Sequence, residues 1–289
     1  MTRRAILGAL VVGMLGAAFA VPARAVEPGG KHAVEPKRAG VPFTGVRFES
    51  TRDRVELSGW WFEGRPGSPV LVLMPRGKGT MADLLPSVRE FSTRGYTVMT
   101  FDYRDFGPGS PGETDSLRNV IFASRWVNDG EGALRFAREK AAGRPVFAWG
   151  QDLGGQVAVA AGARARSNVD GIACEGLFRT TQEQLRWNGT SNDPDVIRRH
   201  RMLVDGKDEP LSAVPMLQVP LFVVIAMKDD VTPPAATREV VRRSLSIIDR
   251  FTMPAAGHDG AELLPGYYDQ VANFFKRLAA AIAPPPAQP

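Results

Sequence analysis

Two kinds of apolar pattern divide the chain. Residues 46–50 and 54–62 alternate apolar and polar side chains with period two, which predicts a pair of antiparallel strands half exposed at a sheet edge. Residues 70–74, 97–101, 146–149, 171–174, 221–226 and 247–252 are instead compact apolar runs, the pattern of strands buried on both faces. Between them the spacing predicts helices over 81–94, 116–142, 153–166, 234–244 and 267–282, the second of them broken near Asp129-Gly130. Such alternation predicts an α/β protein with a mostly parallel eight-stranded sheet and helices on both faces. Residues 179–219 lack the alternation and read as a small lid segment, too short for a full helical cap domain.

The ends of the chain follow other rules. Thr2-Arg3-Arg4, the apolar run 5–20 and Ala23-Arg24-Ala25 have the basic, apolar and small-x-small order of a secretory signal peptide. Residues 1–25 are therefore expected to be removed on export to a periplasm or the medium. The run is shorter than the roughly 20 apolar residues of a spanning helix, so no stable membrane anchor is expected after cleavage. Residues 26–42 mix Pro, Gly and charge without periodicity and read as a flexible linker, and 283–289 as a Pro-rich tail. One domain remains, over 43–282.

Composition narrows the function classes. The leader takes Arg3, Arg4 and Arg24 with it, so the formal charge falls by three, from +5 to +2, and no basic block remains to suggest a nucleic-acid partner. The single cysteine, Cys174, lies in an apolar run and reads as core packing; alone it excludes an internal disulfide and a multi-cysteine metal site. The pattern asks for no cofactor and no metal, leaves the oligomeric state open, and points to a small-molecule substrate.

The candidate chemistry sits in Gly150-Gln151-Asp152-Leu153-Gly154, which directly follows the apolar run 146–149 and directly opens an Ala-rich helical stretch. A strand–turn–helix of this sharpness exposes its central residue, and the positions two before and two after it must lack bulk, as Gly150 and Gly154 do. Of the three histidines, His32 falls in the linker and His200 in an Arg-rich part of the lid, leaving His258 at the end of a strand. Asp229 either caps the helix beginning near Pro234 or serves as an acid. Asp102 ends a strand and reads as ordering the turn after it, and Trp60, Trp61 and Trp149 read as core. The Asn188-Gly189-Thr190 sequon is too short a motif to carry weight.

Over roughly 46–278 the chain resembles the α/β-hydrolase superfamily, in particular its compact, small-lid serine hydrolase and peptidase-like members. Besides the elbow, the run 73–79 (LMPRGKG) stands where that family has its H-G loop, and 101–107 (FDYRDFG) is similar to its F-D-Y-R-G-x-G segment. The run 227–233 (MKDDVTP) resembles G-x-x-D-x-x-x-P and places the acid at Asp229 rather than Asp230, while Ala256-Gly257-His258 resembles the G-x-H of the base. The order nucleophile, acid, histidine is that of the family. The resemblance implies Asp152, Asp229 and His258 as catalytic residues, with the backbone N–H groups of Arg76 and Leu153 as the oxyanion hole.

Most relatives carry serine where this chain has Asp152. A carboxylate is already ionised at neutral pH and needs no base to attack a saturated carbon, forming an ester on the enzyme that His258, oriented by Asp229, would hydrolyse with water. This is the chemistry implied by resemblance to the aspartate-nucleophile branch, the haloalkane dehalogenases and epoxide hydrolases. Toward a carboxylic ester the same aspartate would give a mixed anhydride, so esterase or peptidase-like acyl hydrolysis is a weaker alternative. The other is a catalytically degenerate binding protein, to which the Pro75-Arg76 pair in place of H-G lends weight.

Overall fold

The computed structural model describes residues 26–108, 120–187 and 194–282. The leader, the tail and the Asn188 sequon lie outside them. One sheet of eight strands forms the centre: β1 (Phe43–Glu49), β2 (Glu56–Phe62), β3 (Val70–Met74), β4 (Thr97–Phe101), β5 (Val146–Gln151), β6 (Gly171–Glu175), β7 (Leu221–Ala226) and β8 (Ile248–Met253). Across the sheet they lie in the order β8-β7-β6-β5-β3-β4-β2-β1. β2 alone among these runs against its neighbours, β1 and β4. The helices are α1 (Leu85–Thr93), α2 (Ser124–Ala141), α3 (Leu153–Arg164), α4 (Thr181–Trp187), α5 (Pro194–Leu203), α6 (Pro210–Ala213), α7 (Pro234–Arg242) and α8 (Tyr267–Ile282).

The continuous apolar runs are explained by the two layers they feed. Val70, Val72 and Met74 of β3 join one buried cluster with Trp126 of α2, Val157 of α3 and Val240 of α7. Leu71 and Leu73 point the other way, into a cluster with Val88 of α1 and Phe275 of α8. Both faces of the strand are thus apolar because both are covered. The edge strand β1 has most of its residues exposed or half-buried, as its period-two pattern predicts. After β3 the chain passes to β4 on one side and later to β5 on the other, so a crevice opens beyond the carboxyl ends of β3 and β5, the place where open α/β sheets bind ligands.

Three expectations need correction. Helix α2 runs unbroken through Asp129-Gly130. Asp129 is fully buried and held by Arg104, and Gly130 is where α2 meets α3: a β-carbon there would lie 2.5 Å from Val157 Cγ1. The glycine allows close packing rather than breaking the helix. Second, the stretch 81–94 opens as a 3-10 turn, Met81–Leu84, before α1, capped by Thr80 and Asp83 in a reciprocal pair of hydrogen bonds.

Third, the stretch read as flexible linker lies along the domain. Glu27–Pro28 pairs in parallel with Lys78–Gly79, and His32 Nε2 lies 2.6 Å from Asp102 Oδ2 with its ring edge-on to Trp60. Composition favours disorder here, but backbone pairing to the loop after β3 and a hydrogen bond to a buried carboxyl outweigh it. Asp102 also accepts from Met81 N–H at 2.7 Å and so orders the 3-10 turn that precedes α1. In the lid stretch, α4, α5 and α6 carry the chain, and buried His200 ties α5 to the core by accepting from Ile121 N–H at 3.3 Å.

Candidate active site

Strand register brings the site together. Met74 of β3 is level with Gly150 of β5, and Gln151 of β5 with Glu175 of β6, so Pro75-Arg76, Asp152 and Gly176 leave the sheet side by side. Asp152 joins β5 to α3 with φ 51° and ψ −122°, a conformation that costs a non-glycine residue about 1–3 kcal/mol. Its neighbours impose it. A β-carbon at Gly150 would sit 2.3 Å from the Gly154 carbonyl oxygen, and one at Gly154 2.2 Å from that of Met74. With both positions glycine, α3 presses against the strand ends and the chain turns sharply enough to lift Asp152 into the crevice.

The Asp152 carboxylate has two different oxygens. Oδ2 accepts from Arg76 Nη2 at 2.9 Å and Nε at 3.1 Å; Oδ1 lies 3.6 Å from His258 Nδ1. The same His258 nitrogen is 3.2 and 3.3 Å from the two oxygens of Asp229. Asp229 is buried at the end of β7, its Oδ1 fixed by the N–H groups of Val231 and Thr232 at 2.9 and 2.7 Å. Asp230 next to it is exposed. Burial opposes charge on the His258 ring, but the carboxylates of Asp229, Asp152 and Asp259 overcome it and hold the pKa up at about 9. Burial likewise pushes the Asp152 carboxyl up from its ordinary range, while His258 and Arg76 pull it back. At neutral pH the resting site therefore holds a charged imidazole between the side chains of Asp229 and Asp152.

A second tier supports Arg76. Its Nη1 reaches Glu262 Oε1 and its Nη2 reaches Asp259 Oδ1, each at 3.2 Å. Gln151 Nε2 then donates to Glu262 at 3.1 Å and to Glu175 at 3.0 Å. Glu175 also accepts from Tyr267 O–H at 3.0 Å, while Trp149 Nε1 donates to Tyr267 Oη at 3.3 Å. Burial, with the nearby charge of Asp152 adding to it, raises the Glu175 carboxyl to about 8 despite these donors. Glu175 is thus a buried acid that keeps its proton at neutral pH, directly beneath the elbow.

Asp152, His258, Arg76 and Leu153 line one cavity of about 90 Å³, closed on its apolar side by Ile121, Phe178 and others. The lid touches the site through Gln184, which also lines the cavity and donates to the Val231 carbonyl at 2.6 Å, and through Trp187 Nε1, which donates to the Asp230 carbonyl at 3.0 Å. The loop after β3 lies against the start of α3, since a β-carbon at Gly77 would be 2.9 Å from Leu153 Cβ. The two backbone segments expected to supply an oxyanion hole are therefore neighbours.

Known structures share this arrangement of strands over nearly the whole chain. The esterase Pf2001 of Pyrococcus furiosus superposes with a TM-score of 0.67 at 16% identity, covering 88% of this chain and 99% of that one. The fold is that of the α/β-hydrolases. Acetyl xylan esterase from Paenibacillus sp. R4 gives a TM-score of 0.59 at 17% identity, over 81% of this chain and 83% of its own. In sequence, residues 67–190 match the family described as Serine aminopeptidase, S33, a stretch that includes the elbow. Protein bem46 of Schizosaccharomyces pombe is 21% identical over 246 residues, 83% of this chain and 78% of the relative. Lysophosphatidylserine lipase ABHD12 of Gallus gallus is 31% identical over 135 residues, 44% of this chain, and the match spans only 33% of the lipase's own length.

Within this α/β-hydrolase fold, the structure brings Asp152, Asp229 and His258 to one point and sets Arg76 and Leu153 beside them. What sequence reasoning missed is the Arg76 side chain: only its backbone was expected to matter, and its guanidinium is the ion-pair partner of Asp152. Gln151, Glu175, Asp259 and Glu262 were missed as well. One signal was available, a glutamate closing the apolar run Gly171–Glu175, because a polar group buried at the end of a doubly covered strand needs nearby hydrogen-bond partners. Among the described residues no group of three or more His, Cys, Asp or Glu could hold a metal ion, and no helix is long and apolar enough to cross a membrane.

Proposed function

We propose that the protein is an exported hydrolase that uses Asp152 as nucleophile on a small organic substrate, with His258 and Asp229 completing turnover through a covalent ester. The observation that carries this reading is the strained backbone of Asp152, held in the cavity with one carboxylate oxygen turned toward His258. Strain of this kind persists where function uses it. Export rests on the leader sequence alone.

In the first step Oδ1 attacks a saturated carbon, and the bond to the leaving group breaks with its electron pair. Esterification removes the negative charge of Asp152, one of the three carboxylates that keep His258 protonated. The ring then gives its proton to the leaving group or to water and becomes a base. Oriented by Asp229, it takes a proton from water as the water oxygen attacks the Asp152 carbonyl carbon. The N–H groups of Leu153 and Arg76, with the Arg76 guanidinium, stabilise the oxyanion. Collapse expels the alkoxide, which takes the proton of the newly added hydroxyl and leaves as the alcohol, so that Asp152 is again a carboxylate and His258 remains charged.

The esterase and lipase names of the similar proteins support a hydrolase in general terms. Acyl hydrolysis by Asp152 itself is disfavoured, since attack on a carboxylic ester would yield a mixed anhydride. His258→Gln should trap the covalent ester, visible by intact mass after exposure to a panel of alkyl halides, epoxides and activated esters. No adduct with any member would overturn the proposal. A second reading, a binding protein, is favoured by the Arg76 pair on Asp152, which ties down one oxygen of the nucleophile. It predicts ligand binding without turnover in the unsubstituted protein.

A further inference from the structure

The segment that composition marks as a linker begins at the active site. Val26 lines the same cavity as Asp152, Arg76 and His258. From there the chain runs beside the loop that carries Arg76: Glu27 N–H donates to the Gly77 carbonyl at 2.9 Å and Gly29 N–H to the Gly79 carbonyl at 2.7 Å. The Val26 N–H donates to the Val120 carbonyl at 2.8 Å, and the Gly29 carbonyl accepts from Gly107 N–H at 2.7 Å. The far end is fixed by His32 on Asp102. Loops after sheet strands are ordinarily free to move, and this one holds a guanidinium shared among Asp152, Asp259 and Glu262.

We propose that residues 26–32 are a positioning strap of the active site, pinning the Arg76 loop by backbone pairing and supplying a cavity wall through Val26. The strap bonds to three segments, the loop after β3, Val120 before α2, and the turn after β4. Leader removal after Ala25, where the sequence marks the cut, leaves Val26 as the first residue, so the mature chain would start at the wall of its own cavity. The catalytic consequence rests on the hydrolase reading; the structural role does not.

Two adjacent glycines allow a controlled test. A β-carbon at Gly29 would lie 2.9 Å from Thr80 Cγ2 and 3.1 Å from the Gly79 carbonyl, whereas one at Gly30 would meet nothing within 4 Å. Gly29→Val should unseat the strap and Gly30→Val should not. The readout is the titration of His258 followed by NMR of the three histidine rings, which needs no substrate. Freeing Arg76 leaves Asp152 and Asp259 less neutralised beside His258, so Gly29→Val should raise its pKa by about half a unit or more, with Gly30→Val unchanged. Hydrogen exchange of the unsubstituted chain gives an independent reading should Gly29→Val fail to fold. The Glu27 and Gly29 amides should exchange at least about tenfold slower than in a free peptide. Free-peptide rates at 27 and 29, or the same His258 titration in both valine variants and the parent, would overturn the strap. A normal strap together with no covalent adduct in His258→Gln would instead remove only the hydrolase reading.

Discussion

Two of the aspartate–arginine pairs are of opposite character. Asp129 in the middle of α2 is fully buried, and both its oxygens are taken by Arg104, through Nε at 2.9 Å, Nη2 at 2.6 Å and the backbone N–H at 3.0 Å. Arg104 also reaches Asp53. Burial raises the Asp129 carboxyl to about 6 although Arg104 pulls it down. The pair closes on itself and fastens the turn after β4 to α2. Asp152 has the same kind of partner, yet only one of its oxygens is engaged by Arg76, its side chain is 20% exposed, and its backbone is strained. Complete satisfaction marks structure, whereas an open oxygen beside a histidine marks a site.

Substitutions can break this contrast. Asp152→Asn should leave the fold in place, since asparagine tolerates positive φ, yet reduce turnover by about four orders of magnitude, or ~5 kcal/mol of transition-state stabilisation. Urea unfolding would report its stability within about 1 kcal/mol of the parent. Asp129→Ala should do the reverse, lowering stability by about 3–4 kcal/mol because Arg104 is left in the interior without its main partner. If Asp129→Ala proved harmless to stability and Asp152→Asn unfolded the chain, the two assignments would have to be exchanged.

The pH dependence of stability sharpens the same comparison. His258 has a folded pKa of about 9, above its unfolded value, so its contribution is fully present below about pH 6.5 and is lost as pH rises through about 9. Glu175 acts in the same direction: its folded pKa of about 8 favours the protonated native form, and that advantage disappears between about pH 4.5 and 8. Stability should therefore fall by up to about 5 kcal/mol between pH 6.5 and 9, and Glu175→Gln should flatten the lower part of the decline. Unfolding midpoints that rise across this window would contradict the assignment. The smallest effect is expected for Glu262→Gln, which loosens Arg76 without touching Asp152. It should cost less than about tenfold in turnover, near 1 kcal/mol.

The strands and the elbow were legible because burial on two faces writes itself as continuous apolar runs, and because a sharp turn demands Gly150 and Gly154. Helix boundaries were less so. Gly130 reads as a breaker until Val157 is seen against it, and that contact belongs to a different element. Asp229 and His258 could be found from their places after strands. Arg76, Glu262 and Gln151 could not, because their roles depend on side chains that meet across more than a hundred residues of chain. The strap was misread for a related reason: its order comes from backbone bonds to Gly77 and Gly79, which leave no mark on composition.

The central claim is that Asp152 carries the substrate. Single turnover in heavy-oxygen water, with whichever halide, epoxide or ester the His258→Gln panel identifies, tests it most directly. Water attacking the Asp152 carbonyl would leave one heavy oxygen in that carboxylate, found on the peptide containing Gly150-Gln151-Asp152 after digestion. An active preparation whose Asp152 peptide stayed unlabelled, with the heavy oxygen only in product, would contradict the account.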